Sequence, residues 1–319
     1  MTIEALKDSY GKMKRIRLLE EKINEEFKKQ LMRTPLHSCI GQEAIAVGIC
    51  NHLTKQDTIY SNHRCHGHYI AKGGNMRALV AELYNRETGC SKGRGGSMHI
   101  IDRACGVELT SSIVAGTVPV ATGNALAYTL KKENNVSVAF FGDGASEEGC
   151  VYESICFAAV RKLPIVYVCE NNFYAMYTAM EKREPVKHIA DKFSNILKTY
   201  IIDGNDIESV EKTAKEAIAY ARNRKGPVFL ECETYRFMNH YESASAKDFW
   251  YRDMKEWEAW IEKCPIERSR SKIIEMNKNL ETQLKDIDTG IIREINDAFE
   301  FAINSEYPAP KDLYKGMWA

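Results

Sequence analysis

This chain of 319 residues carries no net charge, since 44 basic and 44 acidic side chains cancel to a formal +0. Its Lys and Arg residues are scattered, which leaves no electrostatic footprint for nucleic acid; an anionic ligand would have to be met by local arginines. No run of 18 apolar residues occurs, and Glu4, Lys7 and Asp8 break up the amino terminus. Neither a membrane-spanning helix nor the apolar core of a signal peptide is expected, and the cytoplasm is the expected location. Ten cysteines are present without one CxxC pair, and several sit in apolar runs, as Cys156 and Cys169 do. Reduced core thiols fit that pattern better than disulfides or zinc ligands. Glycine and proline occur in ordinary number, 20 and 8, with no low-complexity tract, no internal repeat and no linker. The length allows one large α/β domain or two small ones; without a linker, a single domain over residues 1–319 is expected.

What the chain does have is two short apolar runs with polar ends. Residues 136–141 stop at Gly142-Asp143-Gly144, and residues 165–169 stop at Glu170-Asn171-Asn172. Both read as buried strands. Between them Val151, Ile155, Ala158 and Ala159 recur at helical spacing from about Glu147 to Leu163, and Pro164 forbids continuation. A right-handed crossover makes the strands parallel and sets Asp143 and Asn172, 29 positions apart, at the carboxyl edge of the sheet, where open α/β sheets bind ligands. One carboxylate, one amide oxygen and a nearby backbone carbonyl suit a hard cation such as magnesium, which takes oxygen donors and shares them with a ligand's phosphates. Gly144 lets the chain approach a diphosphate closely, just before a helix amino terminus that favours anions. A pair of ordinary turns is the other reading of these residues.

Elsewhere, Met13, Ile16, Ile23, Phe27 and Leu31 predict an amphipathic first helix from about residue 5 to about 32. Residues 34–120 read as irregular and rich in histidine and glycine, the usual composition of ligand loops. Residues 121–130 predict a helix and Tyr200-Ile201-Ile202 a third strand. Asp203-Gly204-Asn205-Asp206 is a turn capping a helix that carries Val210, Ala214, Ile218 and Ala221. Residues 228–232 predict a fourth strand that points at Tyr235 to His240. A helical region runs from about 247 to about 305, where Ile287, Ile291, Ile295, Phe299 and Ala302 form a stripe that packs on the domain or on a partner chain.

With these motifs the chain resembles the alpha subunit of the thiamine-diphosphate-dependent 2-oxo acid dehydrogenases, the family of the pyruvate, branched-chain and acetoin enzymes. Residues 142–172 resemble its thiamine-diphosphate motif, and the likeness covers almost the whole chain. His37 with Gly41-Gln42-Glu43-Ala44 is similar to the family's amino-terminal segment, and His63-Arg64-Cys65-His66-Gly67-His68 to its arginine-bearing loop. Lys92-Gly93-Arg94-Gly95-Gly96-Ser97-Met98-His99 is similar to a glycine-rich family loop. Thr234-Tyr235-Arg236 with His240 resembles the start of the active-site loop, and Tyr251-Arg252 with Cys264-Pro265-Ile266 its closing segment.

The resemblance implies an α/β thiamine-diphosphate-binding fold, a mostly parallel sheet flanked by helices, with an N-terminal helix and a C-terminal helical segment. It implies thiamine diphosphate and Mg2+ as cofactors. Asp143, Asn172 and the backbone carbonyl of Tyr174 would hold the metal, and Gly144 and Ala145 would approach the diphosphate. Arg64 and Arg236 would be the diphosphate's partners, a task that suits a guanidinium fork better than a lysine point charge. Ser112, Ile113 and Val114 align with the segment whose backbone grips the pyrimidine. His37 and His240 match positions near the cofactor's reactive carbon, where they would exchange protons with the reaction intermediates. Plainer readings stand beside these: a lone arginine is a solvated charge, and Ile113 and Val114 are core apolars. His52 and His188 read as structural, while His66, His68 and His99 either orient backbone or serve the site. Metal ligation by a histidine cluster is a rival reading that no paired spacing on a helix supports.

This sequence departs from the family pattern in two places. Ser112 and Ala115 stand where glycine is usual, and Asn239, Tyr241 and Ser243-Ala244-Ser245 replace the usual residues around and after His240. The second departure puts substrate, acceptor and phosphorylation control of that loop in question. In this family the glutamate that activates the pyrimidine lies on another chain. The resemblance therefore implies an obligate beta subunit in an alpha-two beta-two heterotetramer, a 2-oxo acid or acetoin as substrate, and a lipoyl-bearing acyltransferase as acceptor. A two-chain carboligase and a non-catalytic scaffold are the competing readings.

Overall fold

The structure is a computed structural model that describes residues 1–241, 251–312 and 314–315. At its centre lies a six-stranded sheet: β1 (Thr58–Ser61), β2 (Val107–Thr110), β3 (Ser137–Gly142), β4 (Ile165–Asn171), β7 (Lys198–Asp203) and β8 (Val228–Glu233), in the order β2-β1-β3-β4-β8-β7. Every pairing is parallel. The central strands read as continuous apolar runs because both of their faces are covered. Val138, Phe140, Val166, Val168, Val228 and Leu230 join the core on one face, while Ala139, Phe141, Tyr167, Cys169 and Phe229 join the core on the other. That alternation is the period of two that a strand imposes on its side chains. A short antiparallel ribbon, β5 (Tyr174–Ala175) with β6 (Thr178–Ala179), stands beyond the end of β4.

The helices bear out several expectations and correct others. α1 (Ile3–Phe27) buries Met13, Ile16 and Ile23, but it ends four residues before Leu31, which is exposed. The segment 34–120 is not irregular: it holds α2 (Glu43–Cys50), α3 (His66–Ala71), α4 (Met76–Leu83), β1, β2 and the start of α5 (Thr117–Leu130). These elements are only four to eight residues long apart from α5, too short to give a legible hydrophobic period. The crossover helix α6 (Gly149–Arg161) starts later than its apolar spacing predicts, because residues Asp143–Glu147 form a 3-10 turn first. It ends at Lys162 in the left-handed conformation, two residues before Pro164.

α7 (Ile207–Arg222) is capped by Asp206, whose carboxylate accepts from the Glu208 amide at 3.2 Å. Its apolar face packs on α2 so closely that a Cβ on Gly48 would lie 2.6 Å from Val210 Cγ1. The carboxyl-terminal helices are α8 (Met254–Ile261), α9 (Pro265–Met276) and α10 (Glu281–Asn304); residues 247–250 of the predicted helical region lie outside the described residues, as do Ser243, Ala244 and Ser245. Ile291, Ile295, Phe299 and Ala302 of α10 are buried, with Ile287 partly so, and the stripe packs on this chain itself, against α1 and α4. Among the described residues no helix is long and apolar enough to cross a membrane. All ten cysteines are free thiols.

One buried carboxylate organises the glycine-rich loop that follows α4. Glu82, fully buried, accepts from the amides of Ser91 (2.8 Å), Gly93 (2.9 Å), Gly95 (2.7 Å) and Gly96 (3.1 Å). Removing it leaves four amide donors without an acceptor, one buried and three part-buried, and an unsatisfied buried donor costs about 1–3 kcal/mol before the loop relaxes. Glu82→Ala is therefore expected to lower the urea midpoint of unfolding by an amount worth at least about 3 kcal/mol. A midpoint equal to wild type, with the slope unchanged, would show that the loop does not depend on this carboxylate.

Candidate active site at the carboxyl edge of the sheet

The parallel register of β3 and β4 pairs Gly142 with Glu170, so both strands stop at one edge and release Asp143 and Asn172 there. A cavity of about 580 Å³ opens at this edge. Its wall comes from the ends of five strands, the β5–β6 ribbon and the segment before α2. It includes His37, Arg64, Ser112, Val114, Asp143, Gly144, Ala145, Asn172, Tyr174 and His240, every sequence-predicted site residue except Ile113 and Arg236. Arg236 lies outside that wall; its Nη2 donates at 3.0 Å to the carbonyl of Met176, which is in it.

The oxygen donors sit together but are already engaged. Asp143 is buried, and its carboxylate pairs with Arg183, whose other guanidinium nitrogen meets Glu147. Burial raises the Asp143 carboxyl above its ordinary value, and Arg183 pulls it part of the way back. The Asn172 side-chain oxygen accepts from the Tyr174 amide at 3.4 Å, whereas Asn171 is committed to the core through Glu231 at 2.7 Å. Gly144 is required by close packing: a Cβ there would lie 2.8 Å from that of Ala175. The ribbon opposite is held by Phe173 (φ 66) and Met176 (φ 51), two non-glycine residues in the left-handed region, each costing about 1 kcal/mol or more.

Facing these donors is an unusual stock of buried positive charge. Arg64 is 5% exposed and Arg236 is 1% exposed, and neither forms an ion pair with a carboxylate among the described residues. Arg64 donates to the carbonyls of Ser38 (2.7 Å) and His240 (3.2 Å). Two Arg236 nitrogens, Nε and Nη1, are buried without an acceptor among the described residues. Burial pushes Arg64 down to about 10; burial, with Arg64 and Arg252 alongside, pushes Arg236 down to about 9, so both stay cationic at neutral pH. Buried guanidinium donors with nothing to donate to are a built site for an anion with several oxygens.

Three imidazoles close the cavity from the side. The His37 ring lies 4.6 Å from that of His63 and 5.1 Å from that of His240, and His63 lies 5.4 Å from His240. Burial, reinforced by the neighbouring charge of Arg64, pushes His37 down to about 3 and His63 and His240 to about 2. All three are neutral near pH 7, each with a lone pair and an N–H for proton exchange. A histidine cluster does form, though not by paired spacing on a helix: the three come from separate segments, which no local spacing reveals. His63 was visible only as the neighbour of Arg64, and Arg183 stands in the mixed-charge run Glu181-Lys182-Arg183-Glu184, which carries no signal of a site.

Four other histidines meet partners away from this trio. His66 bridges Glu20 (3.3 Å) and Ser97 (2.9 Å), and His68 bridges Ser61 (2.8 Å) and Glu170 (3.2 Å) while stacking on Phe140. His99 meets Ser112 at 3.3 Å, and His188 meets Glu233 at 3.2 Å. Ile113 and Val114 are 68% and 51% exposed, which removes the reading of them as core apolars. Ala115 adopts φ 60, a left-handed conformation that glycine would take without strain.

A cavity with hard oxygen donors, buried guanidinium groups and neutral imidazoles at the carboxyl edge of a parallel sheet is chemically suited to an anionic ligand with several oxygens. Residues 11–311 match the family described as the dehydrogenase E1 component. The chain is 39% identical over 311 residues to the alpha subunit of acetoin:2,6-dichlorophenolindophenol oxidoreductase of Bacillus subtilis, covering 97% of this chain and 92% of that one. It is 36% identical to the pyruvate dehydrogenase E1 component subunit alpha of Rhizobium meliloti, over 96% of this chain and 88% of that one. The testis-specific mitochondrial form from Rattus norvegicus is also 36% identical, over 97% of this chain and 78% of its own length. The chain belongs to the dehydrogenase E1 component family, as an alpha-type subunit of the thiamine-diphosphate-dependent 2-oxo acid dehydrogenases, and is part of an oxidoreductase.

The imidazole triad carries a pH signature. Unfolded histidines titrate near 6.5 whereas these three do not, so below that pH the unfolded chain takes up protons the folded chain refuses. The stability they contribute is whole above about pH 6.5 and is lost as the pH falls from there toward about 3. Nitrogen NMR of the histidine rings is expected to show His37, His63 and His240 unprotonated at pH 5; titration of any of them with a midpoint above 6 would contradict the burial argument.

Proposed function

We propose that this subunit holds the diphosphate half of a shared thiamine-diphosphate site and handles protons at its reacting end. The observation that carries the reading is the convergence of Asp143, Asn172 and Arg64 on one cavity edged by neutral imidazoles, with Arg236 held behind its wall against the Met176 carbonyl. Thiamine diphosphate, when bound, supplies an electron sink for breaking the bond beside a carbonyl. The chain's residues 1–319 serve as one diphosphate-binding module. In it, Asp143, Asn172 and the Tyr174 carbonyl take Mg2+, and Arg64 and Arg236 receive the diphosphate, which Gly144 and Ala145 approach. For Asp143 to take the metal, Arg183 has to release it. Ser112 and Val114 meet the pyrimidine through backbone atoms, with His240 alongside. His37 and His240, neutral and within reach of each other, accept or deliver protons at the reacting carbon and oxygen.

The substrate is a 2-oxo acid or acetoin and the acceptor a lipoyl group on an acyltransferase, in the cytoplasm. A beta-type subunit completes the site in an alpha-two beta-two assembly. The exposed Ile113 and Val114, set beside the cavity, support a partner surface at that point. A beta-type partner is also where the pyrimidine-activating glutamate would reside.

The test is co-expression with a beta-type chain, calorimetry with thiamine diphosphate and Mg2+, and assay of 2-oxo acids and acetoin with an artificial electron acceptor. Asp143→Ala is expected to weaken cofactor binding by about a hundredfold, since it removes the charged metal ligand. His240→Ala is expected to keep binding and lower kcat by about a hundredfold or more. A complex that binds no cofactor would support the scaffold reading, and ketol product without lipoyl acylation would support the carboligase.

A further inference from the structure

We propose that His37, His63 and His240 form a second cation site in the same cavity, one that takes a single borderline transition-metal dication such as zinc. The ligand atoms of the three rings all lie within 4.8 Å of one another. They arrive from the segment before α2, the loop after β1 and the chain beyond β8, so they converge from three directions instead of lining one helix face. His37 is only 9% exposed, and its Nδ1 is buried without a partner among the described residues. A buried imidazole nitrogen with no hydrogen bond is a group still short of a ligand.

The geometry is open on one side, as a zinc site with three protein ligands requires. Tetrahedral coordination at about 2.0–2.1 Å sets donor atoms roughly 3.4 Å apart, so the rings have to close by about an ångström. Torsion about the Cβ–Cγ bond of histidine is soft and moves the ring nitrogens by more than that. His37, His63 and His240 all face the cavity, which leaves the fourth position to water or another small ligand. Imidazole donors select zinc, copper or nickel over magnesium, whereas Asp143, Asn172 and a backbone carbonyl select the reverse. One cavity thus carries two donor sets of different hardness. The charge of Arg64 and Arg236 beside the rings opposes a dication, which makes this a reversible site rather than a structural one. A bound ion takes the lone pairs of His37 and His240 and so blocks turnover. That consequence rests on the proton-transfer role given to those residues under the proposed function, whereas the binding itself does not.

Cobalt(II) is the probe, because tetrahedral nitrogen coordination gives it a strong visible absorption. The full chain, co-expressed with its beta-type partner, is titrated with cobalt and then with zinc as competitor. One equivalent per chain with a tetrahedral spectrum is expected. His63→Gln is expected to abolish the band and weaken zinc at least about tenfold, with manganese binding at the oxygen donors unchanged. Glu233→Gln, in the other histidine-carboxylate cluster (His188, Glu231 and Glu233), is expected to leave the band intact. His37→Gln repeats the test should His63→Gln melt early. No tetrahedral band, or a band that survives both histidine variants, overturns the site. Zinc that displaces the cobalt band yet leaves turnover untouched overturns the inhibitory half, and with it the proton-transfer role, while the binding stands.

Discussion

The site depends on one register. Because β3 and β4 run parallel with Gly142 opposite Glu170, the chain leaves both strands at the same edge and places a carboxylate and an amide oxygen within one cavity. A parallel pair needs a crossover, and α6 supplies it; its apolar face covers one side of the sheet while α2 and α7 cover the other. The neighbouring strand ends then contribute what this pair lacks: Arg64 from beyond β1, Ser112 and Val114 from beyond β2, and His240 from beyond β8. A slip of one residue between β3 and β4 would turn every inward side chain outward and separate the two oxygen donors together with the core.

Placing so much cationic surface in a closed edge is expensive unless an anion arrives. Two buried guanidinium groups without carboxylate partners among the described residues repel each other, and they add to the burial that keeps three imidazoles neutral. The same arrangement that destabilises the cavity makes it receptive to a diphosphate. Arg183 is the local remedy on the acidic side, neutralising Asp143 and Glu147 until a cation takes its place. Strain in the β5–β6 ribbon, with Phe173 and Met176 in left-handed conformations, is likewise concentrated on the wall of the cavity.

Much of this was legible in the chain. The β3–α6–β4 unit, β7, α7 with its Asp206 cap, β8 and the stripe on α10 all carry patterns long or regular enough to read without tertiary information. Asp143 and Asn172 sit in motifs whose local context already points outward from strand ends, whereas Arg64 was picked out by family resemblance. The short elements between residues 34 and 120 were not legible, because a four-residue strand or a six-residue helix shows no period. Neither was the commitment of Glu82 to four glycine-loop amides, since a carboxylate near the end of α4 looks like any surface charge. Nor does the apolar character of Ile113 and Val114 announce that they are exposed.

The sequence by itself determined that the chain has a parallel α/β core with polar strand ends, and which oxygen donors those ends carry, because strand alternation, helix period and turn chemistry are local properties. Only the tertiary structure decided which distant groups meet. It brought His37, His63 and His240 together across more than 200 residues of chain. It put Arg183 against Asp143, and it left Arg236 behind the wall with two nitrogens that find no acceptor among the described residues. Contact between separate segments is fixed by how the sheet edge and its loops pack, and no spacing along the chain encodes it.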